Sequence, residues 1–249
     1  MKLLVDIGNS RVKWATFADG RLGEQRAAAY EGWTGEDWRR EVVGGAGVLR
    51  VVAASVASGP AAMLDEAARS VTGRPVTYLA TRAEAAGVRV AYGDPRLLGV
   101  DRWLALVAAH AMVPGPCCVA DVGTAATFDA LDAGGRHLGG YIVPGPELML
   151  RALHQRTSDL ASHTAASGEA GRAPLADNTR DAIVRGCHLA VAALVDRGVA
   201  DVEARVGAKA TLLVTGGGVS GIRPLIAREA VDVPDLVLRG MALISGEYP

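Results

Sequence analysis

Two carboxylates in this sequence stand where an apolar strand runs into a glycine turn. In LLVDIGNSRVKWATF, Asp6 ends a buried-looking run, Gly8, Asn9 and Ser10 follow, and a second strand then carries Lys13. In VADVGTAATFDAL, Asp121, Gly123 and Thr124 repeat that arrangement at an offset of 115 residues. A carboxylate at a buried strand end is costly unless a cation or hydrogen-bond donors meet it. Both stretches read as β-hairpins, with Gly8 and Asn9 expected to supply the positive φ of a tight turn. One arrangement satisfies both aspartates together. The two hairpins face each other across a cleft, their turn N–H groups hold the phosphates of a nucleotide, and a metal ion bridges carboxylates and phosphate oxygens. Asn9, Ser10 and Thr124 suit phosphate contacts, and Lys13 can neutralise transferring charge. An ordinary turn would explain either hairpin alone, but their recurrence in duplicated halves favours the phosphate reading.

Two further stretches could do chemistry. In VTGGGVSG, the glycines Gly216, Gly217 and Gly218 follow a strand and precede a helix, so the backbone can approach a phosphate or a flat ligand closely. In GVDR, Asp101 and Arg102 fall in the first turn of an expected helix. An aspartate beside an arginine there can stay ionised, and the guanidinium is suited to bidentate capture of a carboxylate. A capping and surface ion pair is the plainer account of the same two residues.

The elements that must position these residues follow from pattern. Strands are expected at 2–7, 11–17 and 21–29, a short helix at 34–43, a strand at 48–56, and a helix at 60–71 with Pro60 at its start. A strand at 75–79 and a helix at 99–112 complete the first half. VPGP at 113–116 punctuates the chain, giving expected domains 1–115 and 116–249. The second half restarts as three strands separated by glycine turns. A helix at 146–155, a loop at 161–177 and a long helix from Thr179 to about Val206 follow, the last capped by Asp177 or Asn178. A strand at 210–215, a helix at 223–230 and a short terminal strand and helix close the chain. The echo between halves is a domain-scale duplication rather than a short solenoid period.

Composition bounds the partners. The 249 residues are half hydrophobic, enough for one large core or two modest ones. Lys and Arg number 26 against 27 Asp and Glu, which leaves no basic footprint for nucleic acid. Three cysteines form neither an even disulfide framework nor a metal-ligand spacing. The amino-terminal stretch has no signal-peptide pattern, and no apolar run is long enough to span a membrane. A reducing cytoplasm and no membrane partner are therefore expected.

These motifs resemble the acetate and sugar kinase, Hsp70 and actin superfamily, and within it the type III pantothenate kinases. DIGNSRVK at Asp6 to Lys13 is similar to that family's Asp-x-Gly-Asn-Thr-x-x-Lys pattern, with Ser10 in the threonine position. GVDR at Gly99 to Arg102, DVGTAAT at Asp121 to Thr127, GGYIVPG at Gly139 to Gly145, and the pair Asn178 and Thr179 complete the set. The resemblance covers nearly the whole chain. It implies an α/β fold of two RNase H-like, actin-like ATPase domains, each a mixed five-stranded sheet flanked by helices, with a cleft between them.

The resemblance also implies roles. ATP would be bound by Asp6, Ile7, Gly8, Asn9, Ser10, Arg11, Val12 and Lys13, with Thr124 and the glycines Gly216 to Gly218. Mg²⁺ would be met by Asp6 through the phosphates, and a monovalent cation, K⁺ or NH₄⁺, by Asp121. Pantothenate would contact Tyr92, Gly99, Val100, Asp101, Arg102 and Thr179, and Asp101 would accept the proton of its hydroxyl. Pantothenate would become 4′-phosphopantothenate, the first step toward coenzyme A, in a homodimer. Two alternatives stand beside this reading. One is an accessory factor in transcription, as which some family members were first described; the other is a superfamily kinase for another small alcohol.

The remaining polar residues read plainly. His110, His137, His154, His163 and His188 form no i, i+4 pair, and each is assigned a structural or solvated role. Trp33 and Trp38 are expected to pack, and the cysteines to be buried hydrophobes.

Overall fold

A computed structural model describes residues 1–45, 47–156 and 175–246. The chain divides into two compact units. One is Met1–Gly115 with Leu131–Gly139 and Asp235–Pro249, and the other is Pro116–Ala130 with Gly140–Pro234.

The first unit is built on β1 (Lys2–Ile7), whose last five residues are all buried. It pairs antiparallel with β2 (Arg11–Ala18) and parallel with β5 (Arg50–Ser55), so both its edges are occupied. The third strand expected over 21–29 is split into β3 (Arg21–Leu22) and β4 (Arg26–Ala29), both on β2. Phe17 faces Leu22 while Trp14 faces Arg26, a register slip of one residue. This is a bulge at Glu24 and Gln25, which together face Ala15, just after Gly23, whose N–H is bonded to Thr16 O at 2.8 Å. The sheet consequently has six strands rather than five, in the order β3-β2-β1-β5-β6 with β4 also on β2, where β6 is Thr77–Tyr78.

Strand alternation sorts the side chains of β1. Leu3, Val5 and Ile7 join Val12, Trp14, Val51 and Ala53 in one core with Trp38, Leu64 and Ala67. Those last three come from α1 (Gly35–Trp38) and α2 (Ser58–Thr72). The even positions Lys2, Leu4 and Asp6 therefore belong to the opposite face. Asp6 is buried, 7 % exposed. Between α1 and β5 the helix expected at 34–43 continues from α1 as a π-helical turn, Arg39–Val43. Trp38 is fully buried, with Trp33 edge-on to it at 5.4 Å and Tyr30 tilted against it at 5.5 Å.

A two-stranded hairpin, β7 (Glu84–Ala85) and β8 (Val88–Arg89), lies where only loop was expected. Its Ala86-Gly87 turn has φ of 47° and 80°, the geometry of a tight two-residue hairpin loop. Next comes α3 (Val100–Met112), buried from Arg102 to Ala109.

The second unit repeats the plan. Its sheet runs β11-β10-β9-β12-β13, with β12 parallel to both β9 and β13 as β5 is to β1 and β6. The strands are β9 (Cys117–Val122), β10 (Ala125–Leu131), β11 (His137–Pro144), β12 (Thr211–Thr215) and β13 (Ala230–Asp232). β9 is the length of β1 and carries Asp121 at the position of Asp6, next to last in the strand.

After α4 (Pro146–Arg156), the long helix α5 (Thr179–Val206) is capped by Asn178, whose Oδ1 accepts from Asp181 N at 3.0 Å. Its buried positions Cys187, Val191, Val195, Val199 and Val202 recur at helical spacing. The helix expected at 223–230 is instead α6 (Val219–Ile222) with a 3-10 turn at Arg223–Leu225, because Pro224 has no N–H to carry a helix ladder onward. The chain then returns to the first unit as α7 (Leu236–Ile244), which packs on α3 and on β1. Most of the expected loop at 161–177, together with His163, lies outside the described residues, as does the side chain of His154.

The fold is α/β, with mixed sheets flanked by helices. Among the described residues, no helix is long and apolar enough to cross a membrane.

Candidate functional site

The hairpin of the first unit turns through Gly8, Asn9 and Ser10, with Asn9, Ser10 and Arg11 exposed at its tip. Gly8 N donates to Arg11 O at 3.0 Å. None of the three turn residues has a positive φ, contrary to the expectation for Gly8 and Asn9. Three residues separate the strands instead of two, and a wider loop does not require the left-handed region. Asp6 and Lys13 are direct cross-strand partners at the root of this hairpin, with Ile7 opposite Val12. Tyr30, which the sequence reading passed over, braces the turn by donating its hydroxyl to Gly8 O at 2.5 Å. Burial raises the pKa of that hydroxyl above its ordinary value.

On α3 the helix begins at Gly99, which carries no side-chain cap. Asp101 Oδ1 accepts from Arg102 N at 2.8 Å, folding the carboxylate back over the first turn. A Cβ on Gly99 would stand 2.6 Å from that same oxygen, so the glycine leaves room for it. Arg102 is buried, and its Nη1 donates to Tyr92 Oη at 3.3 Å. Leu98, just before the motif, is fixed through its carbonyl by Thr81 Oγ1 at 2.8 Å. Tyr92, Gly99, Asp101 and Arg102 are thus neighbours in the first unit.

In the second unit the turn after β9 is one residue shorter, Gly123 and Thr124, closed by Gly123 N to Ala125 O at 2.9 Å. Asp121 pairs in parallel register with Thr215, the residue before the glycine cluster. Gly216 has φ 99°, and a Cβ there would collide with Asp121 Oδ1 and the Val122 backbone. Gly218 N donates to Val122 O at 2.8 Å. The glycine turn therefore lies directly on the Asp121 strand end. Thr179 is exposed at the first position of α5, and the capping that it could have supplied is carried by Asn178.

Among the described residues, no three His, Cys, Asp or Glu side chains come together as a metal cluster. A divalent cation would take one carboxylate, and phosphate and water oxygens for the rest. Mg²⁺ is commonly held in that way, and a buried Asp6 beneath an exposed hairpin tip is compatible with it. Two open clefts, of about 560 and 720 Å³, are lined by residues such as Lys2, Arg50 and Arg74, and Glu203, Lys209 and Arg228. None of the candidate residues lines them.

The α/β fold, with mixed sheets flanked by helices, recurs in solved structures of low sequence identity. A glucokinase of the ROK family from Streptomyces griseus, solved with glucose and AMPPNP, superposes with a TM-score of 0.51 at 14 % identity, covering 98 % of each chain. An activator of 2-hydroxyisocaproyl-CoA dehydratase from Clostridium difficile, with bound ADPNP, gives 0.53 at 14 % identity, covering 98 % of this chain and 93 % of that one.

Sequence comparison narrows the class. The family model for type III pantothenate kinase matches residues 2–201. A type III pantothenate kinase from Stenotrophomonas maltophilia is 40 % identical over 241 residues, 96 % of this chain and 95 % of that one. One from Halorhodospira halophila is 36 % identical over 249 residues, covering 97 % and 96 %. The chain belongs to the type III pantothenate kinase family.

Proposed function

We infer that this protein transfers the γ-phosphoryl group of ATP to the primary hydroxyl of pantothenate, giving 4′-phosphopantothenate and ADP, the opening step of coenzyme A biosynthesis. What carries the reading is near-full-length identity to pantothenate kinases, together with an Asp101-Arg102 pair set side by side at the start of α3.

The roles of individual residues are part of this proposal. Asp101 accepts the hydroxyl proton as the oxygen attacks phosphorus and the bond to the bridging oxygen of ADP breaks. Little basicity is needed, because positioning and charge neutralisation dominate phosphoryl transfer. Arg102, with Tyr92, Gly99 and Val100, receives the acceptor, the guanidinium meeting its carboxylate; Thr179 adds a contact. The turn amides of Asp6 to Lys13, with Thr124 and Gly216 to Gly218, hold the nucleotide. Mg²⁺, when bound, screens the phosphate charge, and Asp6 is the residue that would face it. Asp121 is assigned a monovalent cation, K⁺ or NH₄⁺.

The halves 1–115 and 116–249 are read as the two domains, and the active form as a homodimer. A cytoplasmic setting, without nucleic-acid or membrane partners, is supported by three free cysteines and a net charge of -1. Purified protein with ATP, Mg²⁺ and K⁺ should release ADP only when pantothenate is present, and mass spectrometry should find the phosphorylated product. Pantothenate-independent ATP consumption sinks the reading. Replacing K⁺ by Na⁺ tests the cation, and light scattering tests the dimer.

A further inference from the structure

His137, which the sequence assigns a structural or solvated role, lies against the candidate acceptor residues. Its ring stacks on that of Tyr92 with centroids 5.9 Å apart and planes 19° apart. Tyr92 Oη in turn takes a hydrogen from Arg102 Nη1. His137 is 1 % exposed and Arg102 8 %, whereas Tyr92 is half-buried. A guanidinium has donors only. The Tyr92 oxygen therefore meets Arg102 through a lone pair, and its own hydrogen is left to donate elsewhere.

Tyr92 sits on the loop after β8, and His137 opens β11. Both are set by one small assembly. Arg89 N donates to Gly135 O at 2.9 Å, joining the two segments. The ring of His110, in the last turn of α3, lies against both, since a Cβ at Gly87 or at Gly135 would stand 2.9 Å from its Nε2. The helix that carries Asp101 and Arg102 at one end thus fixes, at its other end, the two segments that bring Tyr92 and His137 together.

We propose that His137 is a positioning residue for the acceptor substrate. Its flat ring holds Tyr92 so that the Tyr92–Arg102 pair offers, side by side, a guanidinium for a carboxylate and a hydroxyl donor for a neutral oxygen of the same molecule. The proposal rests on the pantothenate reading and specifies the acceptor chemistry: a small acid that also bears a carbonyl or hydroxyl acceptor.

Steady-state kinetics on the full-length enzyme test it with His137→Leu, which fills the buried space without a flat face, and His137→Phe, which keeps one. His137→Leu should raise the KM for pantothenate by about tenfold with kcat and the KM for ATP nearly unchanged, the pattern of lost uniform binding. His137→Phe should restore the KM to within about threefold of wild type by that same argument. Equal loss in both variants, or loss in neither, overturns the proposal. Tyr92→Leu reads the contact from its half-exposed side, and an unchanged pantothenate KM there overturns it whatever the fate of the His137 variants. Wild-type protein that leaves pantothenate unphosphorylated overturns the functional reading itself, a result seen before any variant is compared.

Discussion

The carboxylate of Asp101 occupies the space in which a side chain on Gly99 would begin, 2.6 Å from the position of its Cβ. The backbone at Gly99, φ -50° and ψ 136°, suits any residue. Gly99→Ala should therefore melt close to the wild type while its carboxylate is displaced. A shift of that kind costs up to about a hundredfold in turnover, so kcat should fall tenfold or more, by about that reasoning. An unchanged kcat in a folded Gly99→Ala enzyme would show that Asp101 need not stay where it is.

Asp101→Asn keeps the oxygen that accepts from Arg102 N and removes the charge. Loss of a general acid–base group lowers rates by about 10²-fold or more. Pantothenate-dependent ADP release should drop by at least about a hundredfold on that scale. Full turnover in this variant would exclude Asp101 as the proton acceptor.

Gly216 combines φ 99° with contact against Asp121 and the Val122 backbone. Gly216→Ala strains the backbone and pushes on the strand end at once. Alanine at positive φ destabilises by more than about 1 kcal/mol, and here the KM for ATP should rise as well. Thermal melts and an ATP titration check the two effects, and a variant normal in both would remove the glycine turn from the nucleotide site.

Asp65 links α2 to the approach to β6, accepting from Arg69 Nε at 2.7 Å and from Val76 N at 2.8 Å. The Arg69 bond first, and the Val76 bond second, hold its carboxyl below the usual range. A lowered folded pKa contributes stability above the unfolded value of about 4, and that stability is lost as pH falls through the lower folded value. Asp65→Asn should melt below the wild type at pH 7, and the gap should close toward pH 3. A gap independent of pH would mean that the charge contributes nothing.

Cys117 and Cys118 are fully buried in β9, and burial pushes both thiols up to about 12. At pH 8 they remain thiols, which are poor nucleophiles. Native protein treated with iodoacetamide should be unlabelled at both positions by mass spectrometry, and denatured protein labelled at both. Rapid native labelling would show that β9 opens.

Much of the fold is local and was legible. The apolar runs of β1 and β9, the glycine turns and the span of α5 are each written in short stretches, because period and turn chemistry act within a few residues; α2, by contrast, starts at Ser58, two residues before the Pro60 start expected. The misses were cooperative. The bulge at Glu24 and Gln25 depends on how β2 pairs with its neighbours, and the turn of the hairpin at Glu84–Arg89 packs against His110, well along the chain. Negative φ at Gly8 and Asn9 followed from a loop length that composition does not state.

The same division runs through the candidate site. Residue types and order by themselves determined the duplicated Asp–Gly hairpins, the GVDR helix start and the glycine turn, because each is a contiguous motif whose chemistry its own residues carry. Only the tertiary structure decided that Tyr30 braces Gly8, that Gly216 lies on Asp121, and that His137 stacks on Tyr92. Those contacts join residues far apart in the chain, and neither hydrophobic period nor turn propensity encodes which distant ring or backbone will fill a gap. Packing settles that once the sheets and helices have docked.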